Sequence, residues 1–234
     1  MCADGSGIDA MISVIIPTLN AERSLGPCLG ALGPAILDPL LSEVIFADGG
    51  STDATEEIAE ATGAHFVAAT SGRGTQLRAA AETARAEWML FLHADTVLTD
   101  EWVDAARAHM RRGPETAGWF RLRFDAAGLA PAMVSRWANL RAMLGLPYGD
   151  QGLLIHQSLY REVGGFPDIP LMEDVAIARA IGRRRLAMMD AEARTSADRY
   201  ERNGWLKQGA RNLTTLTRYS LGARPEALAR SYNR

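Results

Sequence analysis

Two acidic positions and one arginine-bearing loop hold most of the reactive chemistry in this 234-residue sequence. Asp95 closes His93-Ala94-Asp95, directly after the apolar run Trp88-Met89-Leu90-Phe91-Leu92. A carboxylate just past such a run stands where a sheet edge meets solvent, a good position for a divalent cation with oxygen ligands. Magnesium takes one or two protein carboxylates and fills its shell with water and phosphate oxygens, so Asp95 alone can suffice. His93 is open to three readings: second ligand, phosphate contact or hydrogen-bonding neighbour. Glu173-Asp174 follows the turn Phe166-Pro167-Asp168-Ile169-Pro170-Leu171-Met172 and begins a helix, where the dipole favours negative charge. The pair is either first-turn helix acids or the seat of a general base, which must reach hydrogen-bonding distance of the hydroxyl it deprotonates.

Arg73 and Gln76 lie in Ser71-Gly72-Arg73-Gly74-Thr75-Gln76, a glycine-flanked loop that opens a helix. An arginine fork at a helix N-terminus suits a phosphate or nucleotide. Asp48-Gly49-Gly50-Ser51-Thr52-Asp53 is a strand-to-helix turn in which Ser51 or Asp53 can cap the helix and Asp48 stands at the strand tip. Tyr148-Gly149-Asp150-Gln151-Gly152 is a polar patch framed by glycines, better suited to ligand contact than to core.

The elements that must position these residues follow from hydropathy. Apolar runs at 12–16, 43–47, 64–68 and 88–92 read as buried strands, and helical patterns at 24–37, 53–62 and 75–86 lie between them. That alternation predicts βαβ units and a Rossmann-like, mostly parallel α/β sheet. Ligands of such sheets bind beyond the carboxyl ends of the strands, which here read 17–20, 48–53 and 93–95. The second half predicts strands at 118–124 and 152–156 and helices at 131–144, 158–163 and from Glu173. A helical tail over 205–232 is interrupted at Gly222 and Pro225. Its apolar residues among arginines suit packing on the core, with peripheral membrane contact as the alternative.

Composition removes other classes. With 47% hydrophobic and 23% charged residues and a net charge of −3, the chain is neither disordered nor a bulk-charge nucleic-acid binder. No apolar stretch reaches the roughly 18 to 20 residues of a membrane span. Residues 1–10 read as a flexible leader without signal-peptide features, which implies a cytoplasmic protein. Cys2 and Cys28 assemble neither a disulfide framework nor a zinc site. Of the basic residues only Lys207 is a lysine, a bias that coding composition explains.

In their order and spacing these pieces resemble the family 2 glycosyltransferases of the GT-A fold. The match runs through Ser13-Val14-Ile15-Ile16-Pro17-Thr18-Leu19-Asn20, Asp48 to Asp53 with Thr55, His93-Ala94-Asp95 in place of the DxD motif, and Glu173-Asp174 in place of the ED motif. Phe91 to Thr96, Gly149 to Gly152 and Gly164-Gly165-Phe166-Pro167 add a likeness to the small radical-SAM or selenodomain-associated members. The resemblance covers about residues 11–200. It implies one GT-A domain, with a nucleotide half at 11–98 and an acceptor half at 99–200, and a helical extension at 201–234. It also implies an inverting transfer from a nucleotide-diphosphate sugar to a hydroxyl of a small-molecule, glycan or lipid-linked acceptor. Pro17, Thr18, Asn20, Glu22 and Asp48 would line the nucleotide pocket, Asp48 toward the base, with Arg73, Gln76 and His93 nearby. Asp95 would hold Mg²⁺ or Mn²⁺ against the diphosphate, Asp174 would be the base supported by Glu173, and Asp150 and Gln151 would contact sugar. A nucleotidyltransferase is the first rival, but it needs a glycine- and lysine-rich triphosphate loop that 17–22 lacks. A non-catalytic nucleotide-sugar-binding module is the second.

Overall fold

The computed structural model describes residues 11–70 and 72–232; the leader expected at 1–10 and Ser71 lie outside them. The four apolar runs form β1 (Ile12–Thr18), β2 (Leu41–Asp48), β3 (His65–Ala68) and β4 (Trp88–Phe91). β1 continues through Pro17 to pair Thr18 with Asp48, which brings two expected site residues side by side. The helix expected over 24–37 is two helices, α1 (Glu22–Gly30) and α2 (Gly33–Leu37), with Pro34 in the first turn of the second. A proline is tolerated there because its missing N–H has no helical partner to lose. α3 (Thr55–Thr62) and α4 (Arg73–Thr83) complete the first half.

Then come β5 (Thr96–Leu98), α5 (Trp102–Met110), β6 (Ala117–Phe124), α6 (Leu129–Met143), a 3-10 turn at Gly149–Gln151 and β7 (Leu153–His156). α7 (Gln157–Glu162), α8 (Glu173–Ile181) and β8 (Leu186–Thr195) follow, and the tail is α9 (Asp198–Asn203), α10 (Trp205–Ser220) and α11 (Pro225–Tyr232). The eight strands form one sheet in the order β3-β2-β1-β4-β7-β6-β8-β5. β1 to β4 pair in parallel, β7 runs antiparallel to β4 and β6, β8 is parallel to β6, and β5 is antiparallel to β8. The α/β sheet is therefore mostly parallel, as expected, with its antiparallel pairs gathered in the second half.

Both faces of the sheet are covered, which is why its central strands are apolar without alternation. Val14, Ile16, Phe46 and Leu90 pack against Leu25 and Cys28 of α1 and Trp102 of α5. On the opposite face Ile15, Ile45 and Met89 meet Leu77 of α4 and Ile177 and Ile181 of α8. The tail packs as well: Tyr200 and Trp205 stack on each other and both meet Phe124 edge-on, and Leu228 is buried against Met172 and Val175. Among the described residues no helix is long and apolar enough to cross a membrane.

The N-terminus of α4 is pressed onto the turn before α8. A β-carbon at Gly74 would run into the carbonyl oxygen of Pro167 and lie 3.0 Å from that of Ile169. Backbone cannot yield as a side-chain tip does, so Gly74→Ala should destabilise the fold by about 1–3 kcal/mol. Urea denaturation of the purified variant measures this, and an unchanged midpoint would contradict the close approach.

Candidate active site

Two loops are laced together at the carboxyl ends of β1 and β2. The buried Asp48 carboxylate accepts the Thr18 hydroxyl at 2.9 Å, the N–H groups of Gly50 and Ser51 at 2.8 and 2.7 Å, and the Ser51 hydroxyl. Burial pushes its pKa up, but the hydrogen bonds from Ser51, Thr18 and Gly50 outweigh burial and hold it below the usual carboxylate range. Asn20, at φ 52°, donates its N–H to Ser51 Oγ and accepts the Thr52 N–H at 2.9 Å. The Glu22 N–H reaches Asp53 at 3.0 Å while the Glu22 carboxylate accepts the Ala54 N–H, and Asp53 also takes the Thr55 N–H. Asp53 thus holds the first N–H of α3 from one residue before the N-cap Ala54, whereas Ser51 serves the loop. The Gln76 amide donates to the carbonyls of Thr18 and Ala47 at 2.8 and 2.7 Å.

These loops form one wall of a cleft of ≈ 560 Å³, within the range of small-molecule sites. Pro17, Thr18, Asn20, Arg73 and Gln76 border it, as do His93, Asp95, Asp150, Glu173 and Asp174. Asp48, Glu22 and Gln151 do not border it. The Asp48 and Glu22 side chains are engaged in the loop lacing. Gln151 is 0% exposed and bonded to the Tyr148 N–H, Arg141, Asn139 and the Phe120 carbonyl. The expectation that Gln151 touches sugar is therefore corrected: it braces the 3-10 turn from within the core.

Charge concentrates at the centre of the cleft. Met172, at φ 69°, turns the chain so that α8 starts with Glu173 buried at 1% exposure, and Arg73 meets that carboxylate at 3.2 Å. A residue of this size at positive φ is uncommon and marks local strain. Burial raises the Glu173 pKa against the pull of Arg73. Burial also works against the Arg73 charge, but Glu173, Asp174 and Asp95 more than offset it. Asp174 accepts the Gly149 N–H at 3.0 Å on one oxygen and the Val175 N–H at 2.7 Å on the other. Enclosure raises Asp95, with Arg73 and Arg199 pulling the other way, although its side chain still opens into the cleft. His93 is held neutral by burial and by the nearby Arg73 and Arg199. Its Nε2 lies so close over Gly149 that any β-carbon there would collide.

Asp150 completes the centre. Burial, with Asp174 and Asp95 adding to it against Arg141, pushes its pKa up to about 6, and its buried Oδ1 has no hydrogen-bond partner. Among the described residues no three His, Cys, Asp or Glu side chains converge as a preformed metal cage. Asp95 is exposed at the cleft, and a single such carboxylate fits a hard cation that draws its other ligands from phosphate and water.

The far wall was the least anticipated. Phe124, Tyr200, Asn212 and Tyr232 border the cleft, joined by hydrogen bonds of Asn212 to the hydroxyls of Tyr200 and Tyr232 at 2.9 and 3.0 Å. Gln208 and Asn212, polar residues four apart on an otherwise packed helix face, were the available signal.

The model of the family described as glycosyl transferase family 2 matches residues 13–162. The chain belongs to that family. A glucosyl-3-phosphoglycerate synthase of Mycolicibacterium paratuberculosis is 32% identical over 95 residues, which is 37% of this chain and 29% of the synthase; the family member described here thus matches under a third of that relative's length. Among solved structures, S. aureus TarS 1-349 in complex with UDP-GlcNAc has a TM-score of 0.62 at 20% identity, covering 80% of this chain and 58% of that 1-349 chain. The glucosyl-3-phosphoglycerate synthase of Mycobacterium tuberculosis in complex with Mn²⁺, UDP and glucosyl-3-phosphoglycerate has a TM-score of 0.54 at 21% identity, covering 80% and 70%. These structures share the fold of this family 2 chain.

The charge on Asp150 gives a test of the cleft by itself. Its folded pKa of about 6 lies above the unfolded value of about 3.9, so the ionised carboxylate destabilises the fold above pH 6 and not below pH 4. Asp150→Asn should therefore stabilise the ligand-free protein by on the order of 1–3 kcal/mol near pH 8 and by little near pH 4.5. Thermal melts at the two pH values decide it; an equal shift at both would rule out the raised pKa.

Proposed function

We propose that this family 2 protein is an inverting glycosyltransferase that moves a sugar from a nucleoside-diphosphate sugar to an acceptor hydroxyl. The observation carrying this reading is the placement of Asp174 on the cleft wall, held by the Gly149 N–H, in one charged centre with Asp95 and Arg73. The complexes of TarS with UDP-GlcNAc and of the mycobacterial synthase with UDP and Mn²⁺ support the donor class and a divalent cation. We assign the donor to residues 11–98 and the acceptor to the wall built from 99–200, with tail residues Asn212 and Tyr232 at its edge.

Each side chain has a task in such a transfer. The lacing around Asp48 fixes Thr18 and Asn20 as a rigid rim for the nucleoside, so Asp48 acts by positioning. Arg73, kept cationic by the carboxylates around it, faces the side where negative charge grows as the bond from the anomeric carbon to the diphosphate breaks. Asp95 would hold Mg²⁺ or Mn²⁺, with Asp150 and His93 beside it, and that cation when bound supplies Lewis-acid stabilisation of the leaving phosphate. An ionised carboxylate has about four acceptor sites and the backbone takes two from Asp174, which leaves lone pairs for the acceptor hydroxyl. The proton passes to Asp174, the oxygen bonds to the anomeric carbon from the face opposite the diphosphate, and the bonding electron pair departs with the nucleoside diphosphate. One displacement inverts the configuration, and no second carboxylate is required as nucleophile, unlike in retaining hydrolases.

Asp174→Asn keeps the shape and one of the two backbone contacts, its amide nitrogen being unable to accept the other N–H, and it cannot take a proton, so turnover should fall by about 10²–10⁴-fold with donor affinity retained. Unchanged turnover would remove Asp174 from the base role. A thermal-shift screen of UDP-, GDP-, CMP- and dTDP-sugars with and without Mn²⁺ identifies the donor. We expect one nucleotide class to give a metal-dependent rise, and no response to any donor would overturn the nucleotide-sugar reading.

A further inference from the structure

α6 is packed inside out. Its inward face consists of Pro131, Ser135, Ala138 and Ala142, all small and buried. Its largest apolar side chains, Leu129, Met133, Trp137, Leu140 and the C-capping Leu144, face solvent, Leu129 being 85% and Trp137 54% exposed. Steps of four, four, three and four residues put them on one stripe, about 20 Å long at 1.5 Å per residue. A stripe of that length left bare marks an interaction surface.

The charge around it identifies the partner. Between Asp125 and Asp150 there is no acidic residue, and the charges are Arg136, which is exposed, and Arg141, which turns inward to the Leu146 carbonyl, Gln151 and the Tyr148 ring. α10 packs against α6 and exposes Leu206 and Leu213. Between Glu201 and Glu226 it and its flanks carry Arg202, Lys207, Arg211, Arg218 and Arg224, again with no acid. Yet roughly one residue in eight of the chain is acidic, so this pair of helices is a basic island on a net negative protein. A second copy of the chain fits poorly, because a two-fold interface sets the same patch against itself and would face arginine with arginine.

We propose that α6 docks the protein on an anionic membrane surface, its apolar stripe entering the interface and the surrounding arginines meeting lipid phosphates. Docking on this side has a geometric consequence, since α6 is bracketed in the chain by cleft residues, Phe124 before it and Tyr148, Gly149 and Asp150 after it. That edge of the cleft then lies near the headgroups. The proposal is independent of the sugar-transfer reading, and its test does not measure transfer.

The full chain is sedimented with phosphatidylcholine vesicles and with vesicles of phosphatidylcholine mixed with phosphatidylglycerol. We expect binding to the mixed vesicles alone, weakened by salt. The double variant Trp137→Ser with Leu140→Ser should bind about tenfold or more weakly, from the apolar area withdrawn, at an unchanged melting temperature because both positions are exposed. Arg136→Glu, which leaves the stripe intact, should weaken binding to the mixed vesicles too, and this keeps the test open if the double variant fails to fold. Wild-type protein that ignores both vesicles, or vesicle binding undiminished in the variants, overturns the proposal. So does a concentration-dependent dimer that the double variant abolishes without any vesicle binding, which would assign the stripe to self-association.

Discussion

The site depends on one buried charge. Glu173 is enclosed at the head of α8, and Arg73, a hundred residues earlier at the head of α4, is the cation that reaches it. Removing one partner of such a pair leaves the other charge stranded in a poor solvent, a far larger loss than the pair's net worth. The contact therefore acts as a registration pin between α4 and α8. It fixes where Asp174 points, and with it the Gly149 backbone and the 3-10 turn that carries Asp150. The strained turn at Met172 and the tight seat of Gly74 on Pro167 are tolerated because the same pin over-determines them.

Most of the first half was legible in the sequence because its signals are local. Runs such as Ile12 to Ile16 and Trp88 to Leu92 admit a buried strand and little else, and the turn residues at 48–53 announce the crossover. β8 was not legible for an equally physical reason: its buried positions are Met189, Ala191, Ala193 and Thr195, and alanine packs in a tight sheet interior while signalling helix. β5 is three residues long, too short to show a period. Asp95, Glu173, Asp174 and Arg73, singled out by type and position, border one cleft in the structure. Gln151 was misread because a glycine-framed polar run looks like surface, whereas the amide is consumed by the backbone and by Asn139. The aromatic wall of Phe124, Tyr200 and Tyr232 arises from segments far apart in the chain, which no spacing could reveal.

The fold also separates two kinds of polar residue that sequence treats alike. Some spend all their hydrogen-bonding capacity internally, as Asp48 and Gln151 do. Others are left short: Asp150 has a buried oxygen without a donor and a pKa pushed to about 6. The first kind stiffens the frame and the second stores unfavourable energy that a bound cation or hydroxyl would relieve. A neutral His93 between Arg73 and Arg199 completes this division, since a second protonated group there would weaken any cation at Asp95.

The lacing of residues 18–22 to 48–55 bears on how a donor would enter. The two loops hold each other through the N–H groups of Asn20, Ala21, Glu22, Thr52 and Ala54, so this rim is tied together before a ligand arrives. The ordering entropy is met once, during folding, and a nucleoside arriving at Thr18 and Asn20 surrenders only its own freedom. Recognition on this side would then be lock-like, and any adaptability to differing acceptors would fall to the opposite rim, where Phe124 of β6, Tyr200 of α9 and Tyr232 of α11 stand apart from the knot.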